Sequence, residues 1–330
     1  MAADRPTILV APDSFKGTLS AVEVAAALAA GIEAGGAAAD LCPLADGGEG
    51  TMDAFLVARG GEAFQVEAHD PLGRPIGARF ALLDGGTEAV VDTAAASGFA
   101  LLAPDERDPL RATTAGTGEL IAAAIAAGAR RVLVAAGGSA TVDGGRGAIE
   151  ALGDVDTNGV ELVALCDVRT FYEDAARVFG PQKGADAAAV RALSARLDAY
   201  ATSLPRDPRG IPMTGAAGGL SGGLWATFGA ELVPGTERIF ELLELDRRLA
   251  AADLVVTGEG RLDEQSLEGK VVGELLRRCA DHDRELAIVV GENALERRRL
   301  PAPPLRSVEE AGDPAALAAA GRRIAATFTR

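Results

Sequence analysis

TILVAPD (7–13), DLVVTGEG (253–260) and ELAIVVGE (285–292) decide the fold. Each is a short run of β-branched and aliphatic residues that ends abruptly in Gly or a carboxylate. Runs this apolar, without alternation, read as strands buried on both faces, the mark of a parallel sheet. Between and beside them lie helical patterns with apolar residues at a spacing near 3.6, LSAVEVAAALAAGIEAG after the first run and GKVVGELLRRCADH after the second. DLCPLADGG (40–48) reads as a further strand, as does PLRSVEEAG (304–312), which precedes an Ala-rich helix. Five strands with intervening helices predict a doubly wound parallel sheet built from both ends of the chain. In such sheets the ligand crevice lies outside the carboxyl ends of the strands. Asp13, Asp46, Glu259 and Glu292 stand at those ends.

The middle of the chain has a different rhythm. Residues 62–92 alternate apolar and polar, with Pro-Leu-Gly and Asp-Gly-Gly turn signals, and predict an antiparallel meander. TGELIAAAIAAGARRVLVAAGG then reads as helix and strand, VELVALCDV as a shorter strand, and about 186–201 as a helix before the Pro-rich SLPRDPRGIP. The prediction is a second α/β domain, residues 63–248, inserted into a discontinuous first domain, residues 1–62 plus 249–330.

Composition sets the limits. Of 330 residues, 48% are apolar but only 4% aromatic, so the core must gain through close packing of small side chains. Glycine is present 41 times, well above the ordinary level of about 7%, and is clustered, which points to special backbone sites. The formal net charge is −16 and no cluster of positive charge is visible in the sequence, so no nucleic-acid footprint is expected. No apolar run is long enough to span a bilayer, and MAADRPTILVAPD lacks the pattern of a signal peptide. Cys42, Cys166 and Cys279 lack CxxC spacing and read as reduced thiols. A cytoplasmic protein is expected.

Several chemistries are absent. There is no GxxxxGK[ST] and no GxGxxG after a strand, so neither a P-loop nor a dinucleotide site is expected. His69 and His282 are the only histidines; both read as solvated residues, and a Ser-His-Asp triad is disfavoured.

What remains is a set of Gly clusters carrying carboxylate, Lys or hydroxyl: DSFKGT (13–18), ADGGEGT (45–51), GGSATVDGGRG (137–147), FGPQKGA (179–185) and TGEGRLDEQSLEGK (257–270), with TGAAGGLSGG (214–223) made of Gly and hydroxyl alone. Gly turns at strand ends expose backbone N–H groups, a generic cradle for phosphate. Asp46, Glu49, Asp143, Glu259 and Asp263 could hold Mg²⁺ or take a proton, while Lys16, Lys183 and Lys270 could neutralise phosphate. Each cluster also has a purely architectural reading. Asp13 and Asp46 could cap helices, Lys270 could lie in an exposed first turn, and 214–223 could permit close helix packing. The residues support a phosphate or nucleotide site in an α/β protein and do not fix the substrate.

APDSFKGTLSAVEVA, PLADGGEGT, TAGTGELI, GGSATVDGGRGAIEALG, VFGPQKGA, GAAGGLSGG and DLVVTGEGRLDEQSLEGK, in this order along nearly the whole chain, resemble the type-I glycerate kinase family. The resemblance implies two α/β domains, the terminal one flavodoxin-like, with the active site in the cleft between them. It implies ATP and Mg²⁺ as cofactors, D-glycerate as acceptor and 2-phosphoglycerate as product, with no nucleic acid or membrane partner; a homodimer is compatible with it. Carried onto this chain, Lys16, Asp46, Asp167 and Asp263 are the catalytic candidates, with the proton acceptor open between Asp167 and Asp263. Asp13, Ser14, Lys16, Lys183 and Arg261 would bind substrate. Gly137, Gly138, Ser139, Gly144, Gly145, Gly218, Gly219 and Lys270 would bind ATP, and Asp46, Asp143 and Asp263 would hold the metal. One departure stands out. The segment after Ala151-Leu152-Gly153 is shorter than is usual in the family, and Arg169 to Glu173 replace its Asn-Pro-Leu-x-Gly stretch after Asp167. Altered acceptor contacts are expected there, with the phosphate motifs intact.

Overall fold

The computed structural model describes residues 5–15, 17–267, 271–296, 299 and 303–328. The strands in chain order are β1 (Thr7–Val10), β2 (Ala38–Leu41), β3 (Glu62–His69), β4 (Pro75–Leu83), β5 (Glu88–Asp92), β6 (Arg131–Ala135), β7 (Glu161–Cys166), β8 (Glu231–Pro234), β9 (Leu254–Leu262), β10 (Leu286–Asn293) and β11 (Leu305–Glu310). They form two sheets, one in each of two compact units. The first unit comprises Met1–Asp46, Asp53–Ala58 and Ile239–Arg330; the second comprises Gly47–Met52 and Arg59–Arg238.

The first unit holds a wholly parallel sheet in the order β11-β10-β9-β1-β2. Counted within the unit this is the 2-1-3-4-5 order of flavodoxin-like sheets, with its switch point between β1 and β9. The apolar runs are buried as expected: Ile8, Leu9, Val10, Leu254, Val255, Val256 and Ala287 to Val290 are all at 0% exposure. Helices Ala21–Ala34 and Pro314–Phe328 pack together over one face. A Cβ on Gly31 would fall 1.9 Å from the Ala318 carbonyl oxygen, so a small residue is what lets these two backbones meet. Ser20 starts the first helix with a capping box: Glu23 N–H donates to Ser20 Oγ at 3.2 Å, and Ser20 N–H donates to Glu23 Oε2 at 2.8 Å.

The second strand lies two residues earlier than DLCPLADGG suggests. Regular pairing stops at Leu41, yet Cys42 N–H donates to Val10 O at 2.9 Å and Leu44 N–H to Pro12 O at 2.8 Å. Pro12 and Pro43 have no N–H to give the ladder, so the segment follows β1 without counting as strand.

The second unit holds the sheet β3-β4-β5-β6-β7-β8. β3, β4 and β5 form the antiparallel meander, and β5 to β8 run parallel. Asp70 sets the first turn, accepting from Leu72 N–H at 2.8 Å and Arg74 N–H at 2.9 Å. Helices Ala115–Ala126 and Ala216–Phe228 bury Leu120, Ile121, Ala124, Leu220 and Leu224 with Val91, Val132, Val134 and Leu162. β8 was not foreseen, since Glu231-Leu232-Val233-Pro234 is a short strand at a sheet edge with little apolar signal.

The units divide at positions other than 62 and 248, for local reasons. Asp92 accepts from Gly50 N–H at 2.9 Å and Met52 N–H at 3.0 Å, tying 47–52 to the second unit. Arg248 Nη2 donates to Ala58 O at 2.5 Å, tying 53–58 to the first.

Candidate active site

In the first unit the chemistry-bearing residues stand at the carboxyl ends of β1, β2, β9 and β10. Asp13 is placed by its N–H, which donates to Gly258 O at 2.8 Å, and its Oδ1 accepts from Ser14 N–H at 2.6 Å. Phe15, 1% exposed, anchors the next loop by packing at Gly258 and Gly291. Phe15 N–H donates to Leu19 O, and Thr18 N–H to Phe15 O, both at 2.8 Å, which closes the loop at Gly17 (φ +82°). Lys16 lies outside the described residues, as does Lys270. Asp46 follows the extension of β2 and is half-buried. β9 continues past the end of β1 to carry Glu259, Arg261 and Leu262; exposed Arg261 faces Glu292 of β10 at 3.4 Å. Asp263 Oδ1 accepts from Ser266 N–H at 3.2 Å, so this carboxylate starts the turn Glu264–Leu267.

In the second unit the corresponding ends are those of β5, β6, β7 and β8. Three motifs distant in sequence meet there. A Cβ on Gly137 would lie 2.6 Å from Gly48 Cα and 3.3 Å from Asp167 Oδ2, and one on Gly47 would lie 2.9 Å from Leu165 O. ADGGEGT, GGSATVDGGRG and CDV are thus brought together, with Asp167 exposed at the end of β7. Asp92 holds the first of them in place. Sequence reading missed this residue, although, like Asp13 after ILVAP, it closes a short apolar run, AVVD (89–92).

Asp143 is a hub. Its Oδ2 accepts from Thr114 N–H and Thr114 Oγ1, both at 2.9 Å, and from Gly147 N–H at 3.1 Å; its Oδ1 accepts from Gly145 N–H at 3.1 Å. The carboxylate therefore ties the start of helix Arg146–Ala151 to that of helix Ala115–Ala126. Among the described residues no three His, Cys, Asp or Glu side chains group closely enough to hold a metal ion.

The glycines of 214–223 are shaped by packing. Ala217, Gly218 and Gly219 take left-handed φ values of +49°, +67° and +93° at the head of helix Ala216–Phe228. A Cβ on Gly218 would fall 2.0 Å from Thr141 O, and Gly144 N–H donates to Gly218 O at 3.1 Å. Tyr172, wholly buried, fills the space left by Gly144, Gly219 and Gly222, its ring atoms 2.9 and 2.6 Å from the Cβ positions of the last two. Tyr172 belongs to the stretch that departs from the family pattern. The shortened segment after Gly153 lies elsewhere, as a mostly exposed turn leading into the amino end of β7.

Lys183 is the most unusual group. It sits in the turn Pro181–Lys183, closed by left-handed Gly184, and is only 4% exposed. Its Nζ donates to Ser139 Oγ at 2.8 Å and to Thr141 O at 2.7 Å. Burial pulls the ammonium down to about 7, against the opposing pull of Asp143 and Asp167. Cys42, Cys166 and Cys279 are free and buried, and burial pushes each thiol up to about 12.

Two α/β units, one with a flavodoxin-order sheet, each with Gly loops and carboxylates at the carboxyl ends of its parallel strands, are the architecture of an α/β enzyme acting on small molecules. The chain belongs to the glycerate kinase family, whose model matches residues 8–159 and 154–314. It is 38% identical to a glycerate kinase of Bacillus subtilis (strain 168) over 325 residues, covering 86% of this chain and 84% of that one. It is 38% identical to a glycerate 2-kinase of Escherichia coli (strain K12) over 302 residues, covering 80% of this chain and 79% of that one. Among solved structures it is similar to a candidate glycerate kinase 2 from Salmonella typhimurium LT2, with a TM-score of 0.85 and 34% identity over 99% of both chains.

Proposed function

We propose that the protein is a type-I glycerate kinase that transfers the γ-phosphoryl of ATP to the 2-hydroxyl of D-glycerate. The observation that carries this is the meeting of Gly47–Gly48, Gly137 and Asp167 at the carboxyl ends of parallel strands, with Lys183 behind the same loop. A loose phosphoryl-transfer transition state needs positioning and charge more than covalent help. The head of the loop, Gly137 to Ser139, would present backbone N–H groups to the triphosphate, with Lys270 adding charge; the N–H groups of Gly144, Gly145 and Gly219 already donate to Gly218 O, Asp143 Oδ1 and Gly215 O. Mg²⁺ enters with ATP as part of the donor. Asp46 or Asp263 would help hold it, and it would supply positive charge to the transferring phosphoryl group. The strand-end residues Asp13, Ser14, Lys16 and Arg261 would take the glycerate carboxylate and hydroxyls. Asp167 would accept the hydroxyl proton, since it is exposed beside Gly137 where the three loops meet; Asp263 is the second candidate. The three buried thiols suit a reducing, cytoplasmic setting.

Phosphorus NMR of the product formed from D-glycerate and MgATP tests the reading: a 2-phosphoglycerate resonance is expected, and no transfer to glycerate defeats it. Exposed Arg169 and Phe171 lie two and four residues after Asp167, where the family pattern is broken. A panel of small hydroxy acids run alongside tests whether that change has moved acceptor preference.

A further inference from the structure

We infer that Lys183 is a positioning residue that braces the loop Gly137–Gly145 from inside the second unit, and not a surface charge that touches the acceptor. A lysine so deeply buried is costly unless its ammonium is well used. Among the described residues no carboxylate lies within ion-pair distance of it; its two short hydrogen bonds go instead to Ser139 and Thr141. These two residues flank Ala140 in the loop that leaves β6. Ala140 is itself pinned, its N–H donating to Ser97 O at 2.8 Å.

In its charged form Lys183 has no lone pair, so Ser139 Oγ is then the acceptor and the serine's own proton points away from the lysine. One cation thereby fixes both a side-chain rotor and a backbone carbonyl in the segment that carries Gly137, Gly138 and Asp143. The turn that delivers it is itself rigid. Lys183 N–H donates to Gly180 O at 3.0 Å, and Gly184 (φ +95°) packs its Cβ position 2.9 Å from Arg107 O. The motif FGPQKGA is explained by this: Pro and two glycines make a tight turn whose purpose is to drive one lysine inward.

The inference rests on the proposed reading that this loop holds the donor's phosphates. Lys183→Met keeps length and removes every donor. Amide exchange over 137–145 should quicken about tenfold or more, and calorimetric affinity for MgATP should fall about tenfold. The KM for D-glycerate in a coupled assay should stay within about twofold, a split that general loss of stability would not produce. Ser139→Ala should reproduce part of the MgATP effect and add little on top of Lys183→Met, and it reports alone if the lysine variant does not fold. A raised glycerate KM with unchanged exchange overturns the inference by placing Lys183 on the acceptor; so does no change in either exchange or MgATP affinity. If exchange and affinity respond but the wild-type protein never phosphorylates glycerate, the brace stands and the proposed function falls.

Discussion

Replacing Gly218 by Ala tests whether the glycines of 214–223 are there for packing. The left-handed φ of +67° costs an L-residue about 1–2 kcal/mol. The new methyl would also arrive 2.0 Å from Thr141 O, 2.8 Å from Thr141 C and 2.9 Å from Val142 Cα, all backbone atoms that cannot swing aside. Forcing them apart adds about 1–3 kcal/mol, for a total of about 2–5 kcal/mol. Gly210 is the control: its φ is +71°, but nothing lies within 4 Å of its Cβ position, so Gly210→Ala should lose only the conformational part. In a unit of this size the Gly218 variant should melt about 4–20 °C lower. Urea unfolding followed by circular dichroism gives both losses directly. Equal losses for the two variants would refute the packing argument and return Gly218 to the role of an open phosphate cradle.

Asp167→Asn should lower kcat by about 10²-fold or more while leaving the melting temperature unchanged, because the carboxylate is exposed; a fully active variant would remove it as the base. Asp143→Ala strips four hydrogen bonds and should cost on the order of 3–5 kcal/mol in urea unfolding; lost activity with intact stability would instead make it a metal ligand. With thiol pKa values pushed up to about 12, only about one in 10⁴ is thiolate at pH 8. The native protein should therefore resist a disulfide reagent at that pH and react with three equivalents once unfolded in urea; rapid native labelling would contradict the burial of these side chains.

Much of the first unit was legible because its signal is local. Ile8 to Val10, Val255 to Val256 and Ile288 to Val290 are apolar without interruption, and in a sheet covered on both faces nothing else can be. The hairpin turns were legible from Asp70 to Arg74, where the residue types dictate the bend. β8 and the exact start of β2 were not, since edge pairing and proline interruptions depend on what lies alongside. At the candidate site the sequence marked the right loops and left their division of labour open. That Gly144, Gly219 and Gly222 make room for the Tyr172 ring is a fact about residues up to 78 positions apart. Nor does a lone Lys between Gln182 and Gly184 announce that its head is buried under Ser139. Asp92 could have been found, because it closes an apolar run in the sequence as Asp13 does.

The chain passes from one unit to the other four times, at 46/47, 52/53, 58/59 and 238/239. No single contiguous fragment therefore encodes the second unit. A truncation expressing 59–238 would omit the hexapeptide Gly47–Met52, stripping Asp92, only 6% exposed, of two of its donors and Gly137 of its neighbour Gly48. Anyone dissecting this protein would do better to supply that hexapeptide as a grafted or co-expressed piece than to search for a cleaner place to cut.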